Sequence, residues 1–90
     1  MTGSEALARF LRSLEARDLS PETIRSYEST VTAYLDWLAI HDADWRSPGR
    51  TTLRAYLAEL SVGHARTSVA QRLAALRAFH RYCARSGLAP

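Results

Sequence analysis

The chain has one cysteine, Cys83, which excludes an internal disulfide and leaves too few thiolates for a structural zinc site. Its three histidines, His41, His64 and His80, have neither metal-ligand spacing nor a neighbouring carboxylate or thiol pattern, so no metal is expected. A glycine-rich phosphate loop is absent as well, and no other cofactor is expected. No run approaches the roughly 18 apolar residues that a membrane span needs. Met1 to Leu14 carries Glu5, Arg9 and Arg12 where a signal peptide would place its apolar centre. These absences predict a soluble, cytoplasmic protein without a membrane partner. Valine, isoleucine and glycine are scarce, which disfavours strands. Lysine is missing altogether: all twelve cations are arginine.

What is present is leucine, alanine and arginine, with 47% hydrophobic and 23% charged residues. Ninety residues of this composition predict one globular, helical domain spanning 1–90. The formal charge is +3, by itself a weak pointer to nucleic acid, but its distribution is uneven. Residues 1–59 hold all nine acids against seven arginines, whereas residues 60–90 hold five arginines and no acid. Arginine suits bidentate phosphate or guanine contacts; a GC-rich genome that spells its cations with arginine codons explains the preference equally.

Apolar periodicity predicts four helices. In the first, about Ser4 to Arg17, Leu7, Phe10, Leu11 and Leu14 share one face. The second opens at Ser20-Pro21-Glu22, a cap, a tolerated first-turn proline and an acid that complements the dipole. It runs to about His41, with Ile24, Tyr27, Val31, Tyr34, Leu35 and Leu38 inward. In the loop that follows, Trp45 reads as a lid over the edge of the core. The third helix, about Leu53 to Leu60, has Thr51 or Thr52 as its expected cap. The fourth opens at Thr67 or Ser68, with a capping box from Ser68 to Gln71, and stops at Gly87.

The fourth helix carries the sharpest signal. Val69, Leu73, Leu76, His80 and Cys83 form its expected buried stripe, leaving Ala70, Gln71, Ala74, Ala75, Ala78, Arg81 and Arg85 outward. An outer face of alanines, one glutamine and unpaired arginines fits a major groove: small side chains allow close approach, Gln71 can read a base edge, and Arg66, Arg72, Arg77 and Arg81 can reach phosphates. The plain alternative is that alanine maximises helix propensity and the arginines are solvated. The second helix shows a similar face through Arg25, Ser26, Ser29, Thr32 and Ala33. Its first turn, with Ser20 and Thr23, would accept a phosphate or form an ordinary cap.

Three runs carry a family resemblance. Leu19-Ser20-Pro21-Glu22-Thr23-Ile24-Arg25-Ser26-Tyr27 followed by Tyr34-Leu35-Asp36-Trp37-Leu38, then Leu53 to Leu60, then Thr67 to Tyr82 resemble in order the helices of the SAM-like core-binding domain that begins Xer-type tyrosine recombinases and phage integrases. The resemblance implies an all-α, four-helix orthogonal bundle. It also implies sequence-specific binding of duplex DNA at a recombination half-site, with other recombinase protomers as further partners. Carried over by position, the DNA-facing residues are Thr23, Arg25, Ser26 and Ser29 in the second helix and Thr67, Ser68, Gln71, Arg72, Ala75 and Arg77 in the fourth. The family's catalytic arginine, lysine, histidine and tyrosine would belong to a domain following Pro90, so this chain is not expected to be an enzyme. Tyr27, Tyr34, Tyr56 and Tyr82 read as packing or surface residues, and Cys83 as a structural thiol. The competing expectation is a helical protein-interaction module whose alanine face docks another helix.

Overall fold

A computed structural model describes residues 1–90. It contains four α-helices and no strand: α1 (Gly3–Ala16), α2 (Pro21–Ile40), α3 (Arg50–Ser61) and α4 (Arg66–Arg85). α2 packs on α1 and α4, α1 also touches α4, and α3 leans on α4. The bundle is a slab of 33 × 29 × 18 Å.

The starts of the first two helices follow from local chemistry. α1 opens with a capping box, in which the Thr2 hydroxyl accepts from the Glu5 N–H and the Glu5 carboxylate accepts from the Thr2 N–H. α2 opens as expected on Ser20, whose hydroxyl accepts from the Thr23 N–H. The other two depart from expectation. α3 begins at Arg50, earlier than the predicted Leu53, with Gly49 at its N-cap and no side-chain cap from Thr51 or Thr52. Gly49 has φ +82° and ψ 156°, a region open essentially to glycine alone, and there the chain turns before either threonine is reached. α4 likewise starts early. The Ala65 carbonyl already accepts from the Val69 N–H at 3.0 Å, so neither Thr67 nor Ser68 caps and no Ser68–Gln71 box forms. Gly63, with φ +79°, makes the turn that brings this about.

The core joins Leu7, Phe10 and Leu14 of α1, Val31, Tyr34 and Leu38 of α2, Tyr56 and Leu60 of α3, and Leu76, Phe79 and Cys83 of α4. At its centre Phe10 meets Phe79 edge-on at 5.6 Å and lies near Tyr27 and Tyr82. Trp45 is half-buried against Phe79, as a lid over the core's edge should be. It also closes over the start of α1, where a Cβ on Gly3 would come within 3.1 Å of Leu35. α3 is held by Tyr56, which packs edge-on against Tyr34 and Trp37, and by the Trp37 indole N–H, which donates to Glu59 at 2.6 Å.

The buried arc of α4 is not the predicted stripe. Ala75 and Phe79, 2% and 0% exposed, are fully inside with Leu76 and Cys83, whereas Val69, Leu73 and His80 are half-buried. Packing explains the shift. α4 touches all three other helices, so its buried side is broader than a single stripe and centres toward α1 and α2. Ala75 was expected to face outward and does not.

Candidate nucleic-acid interface

Following α4 from Phe79 and Ala75 toward its N-terminus on the same side, the core gives way to polar side chains. Arg72 and Ser68 occupy that side one and two turns before Ala75. They face the N-terminal half of α2 across a cleft of about 150 Å³ lined by Ser26, Ser29, Thr30, Ser68, Gln71 and Arg72. No hydrophobic residue and no acid lines it. Freed from capping by the early start of α4, Ser68 and Gln71 contribute their side chains here.

Arg72 sits where three helices meet. It is half-buried, lines the cleft, and lies near the Tyr56 phenol of α3. Burial pushes the Tyr56 pKa up, and the Arg72 guanidinium pulls it back. A guanidinium so placed has less freedom to lose on binding than one at the end of a solvated stem. The acid-free stretch that begins after Glu59 includes the whole of α4, so none of its five arginines has an intrahelical partner.

Of the ten residues marked from the sequence, five line this cleft: Ser26, Ser29, Ser68, Gln71 and Arg72. Thr67 and Arg25 are exposed outside it, and Thr23 is half-buried in the α2 cap, where its hydroxyl accepts from that of Ser20 at 2.9 Å. Ala75 is corrected to a core position beneath the cleft. Arg77 is exposed, but with Arg81 it borders two other grooves, one toward α3 and one toward α1 and Tyr27. Thr30 was missed. It lies one residue from Ser29 and Val31, and only the crossing of α2 over α4 distinguishes it from a surface threonine.

The remaining reactive side chains, Cys83, Tyr34 and His80, pack in or against the core. Burial pushes the Cys83 thiol up, away from the nucleophilic thiolate. Tyr34, fully buried, has a pKa pushed up to about 12 by burial, so its O–H stays protonated and donates to His80 Nε2 at 2.8 Å. Burial also lowers the His80 pKa, which keeps the ring neutral and able to accept. A base whose folded pKa is depressed stabilises the fold fully above its unfolded value near 6.5 and loses that contribution as pH falls below it. One group can impose a slope of no more than about 1.4 kcal/mol per pH unit. The melting temperature should therefore drop between about pH 7 and pH 5.5. His80→Gln, which still offers Tyr34 an acceptor, should flatten that drop. Parallel losses in parent and variant over the interval would assign the pH dependence elsewhere.

No group of three His, Cys, Asp or Glu side chains is placed to hold a metal ion, and no helix is long and apolar enough to cross a membrane. A four-helix all-α domain with a polar, acid-free cleft between its second and fourth helices is the architecture present. The chain belongs to the family described as phage integrase, N-terminal SAM-like domain, which it matches over residues 7–87. Among curated proteins it is similar to the tyrosine recombinase XerD of Bifidobacterium longum (strain NCC 2705), with 36% identity over 70 residues. That alignment covers 73% of this chain and 22% of the relative, so the chain spans only about a fifth of the relative's length. No solved structure gives a significant match.

Proposed function

We propose that this domain binds duplex DNA at one recombination half-site through the α2–α4 cleft, as the N-terminal part of a tyrosine recombinase. The observation that carries the reading is the convergence of Ser26, Ser29, Ser68, Gln71 and Arg72, from two helices, on one acid-free polar surface. Gln71, exposed at its edge, offers the amide pair that reads an adenine bidentately, while Arg72 reaches a phosphate and the serine hydroxyls serve either. The first-turn amides of α4, which no side chain caps, add donors for a phosphate beside Ser68. Arg25, Thr23 and Thr67 flank this surface as backbone contacts. Ala75, buried, leaves the contact set, and Arg77 lies outside the cleft on the exposed surface of α4. Cleavage and joining of strands fall to catalytic groups outside this chain, because its tyrosines pack and its one thiol is buried. Other protomers on the DNA are further partners of the whole recombinase in this reading.

The test is the salt dependence of binding to a labelled half-site duplex. Contact with about three phosphates predicts a fall of roughly 40-fold between 50 and 200 mM monovalent salt. Binding that is unchanged over that range would overturn the reading.

A further inference from the structure

We propose that the groove between α3 and α4 is a second binding site, one that takes an amphipathic helix of another protein carrying two acidic residues one turn apart beside its apolar face. The groove measures about 480 Å³, within the range of clefts that hold ligands (about 300–1,000 Å³). Its walls are Leu53 and Leu57 of α3 and Leu73 and Leu76 of α4, and its charged border is Arg77 and Arg81. It is separate from the cleft assigned to DNA, with which it shares no residue.

The groove opens above Tyr34, Tyr56 and His80, which line its inner end, and the Trp37–Glu59 hydrogen bond anchors α3 beside it. Toward solvent Leu53 is left 36% exposed, and Leu57 and Leu73 are half-buried. Leucines converging from two helices on an open channel are the kind of surface that partners cover, and a helix laid in a groove is a common way of covering it.

Charge selects the occupant. None of the groove's lining residues is acidic, although the chain has nine acids. Arg77 and Arg81 stand four residues apart, both exposed, on a helix without a carboxylate to pair with them. Such residues project from neighbouring turns and match two carboxylates one turn apart on a helix lying alongside. Leucine walls suit apolar side chains rather than phosphates or base edges, and an uncharged helix would leave the arginines unanswered. A second copy of this chain fits poorly, because none of its four helices carries two acids one turn apart.

The experiment uses the chain with labelled leucine methyl groups and a synthetic helical peptide bearing leucines at i, i+4 and i+7 beside two glutamates one turn apart. Its lysine counterpart is the control. Methyl shifts should cluster at Leu53, Leu57, Leu73 and Leu76 with the glutamate peptide and be lost with the lysine peptide. Arg81→Glu and Leu53→Glu should each weaken the glutamate peptide by about tenfold or more, and an unchanged amide spectrum shows that each variant is folded. Affinity for half-site DNA should survive Leu53→Glu, and Gln71→Ala should leave peptide binding intact, so that this site and the DNA cleft succeed or fail separately. The proposal is overturned by absent shifts, by shifts mapping elsewhere, by equal binding of the two peptides, or by sedimentation showing that the channel is instead closed by self-association lost in Leu53→Glu.

Discussion

Phe79→Ala should cost about 3–5 kcal/mol and remove a large share of the stability of the fold. A domain of this length has only about 5–14 kcal/mol of stability to lose, at about 0.05–0.15 kcal/mol per residue. Phe79 is wholly buried, meets Phe10 edge-on, and lies against Trp45 and His80, so truncation opens a cavity that touches α1, the α2–α3 loop and α4 together. In a slab 18 Å thick no second layer can slide in to fill it. Urea unfolding followed by far-ultraviolet circular dichroism measures the loss, and Phe79→Leu, which keeps most of the volume, should cost well under half as much. A truncation cost below about 1 kcal/mol, the mean for any substitution, would mean that α4 does not pack on this face.

Gln71→Ala and Arg72→Ala should separate into two kinds of DNA defect although the residues are neighbours. Gln71 is exposed at the lip of the cleft, so its loss should cost about 1–3 kcal/mol on the preferred half-site and little on random duplex. Arg72 is half-buried and held near Tyr56. Its removal should weaken every sequence alike and reduce the salt slope by about one. Arg72→Lys should restore the slope but not the whole affinity, because a lysine keeps the charge without the planar fork. Titrating each variant against preferred and scrambled duplexes at several salt concentrations distinguishes the outcomes. If both variants retained parental affinity while remaining folded, the α2–α4 cleft would not be the DNA surface.

The number and order of helices were legible because leucines and aromatics recur at helical spacing. The start of α2 was legible because Ser20-Pro21-Glu22 supplies a cap, a first-turn proline and a dipole partner together. The starts of α3 and α4 were misplaced by the same chemistry in reverse: Thr51, Thr52, Thr67 and Ser68 are good caps, but Gly49 and Gly63 turn the chain before they are reached. Ala75 misled because a methyl group suits solvent and a tight helix crossing equally well, and only the three-sided packing of α4 decides between them. Arg77 was separable in principle. It stands six residues from Gln71, about one and two-thirds turns, so the two cannot share a face. The assembly of Ser26 and Ser29 with Ser68, Gln71 and Arg72 depends on how α2 crosses α4, which no local pattern encodes.

Ala75 has a consequence for how such a domain could change its target. It is buried one turn below Gln71 and Arg72, where a methyl group lets α4 lie close to its neighbours. A larger residue there would cost about 1–3 kcal/mol in overpacking and shift α4 against its neighbours; on the proposed DNA reading, that changes the spacing of the cleft's side chains while leaving their identities the same. Retargeting by natural variation therefore has a route that a comparison of contact residues alone would overlook: a spacer beneath the reading surface, tuned one methylene at a time.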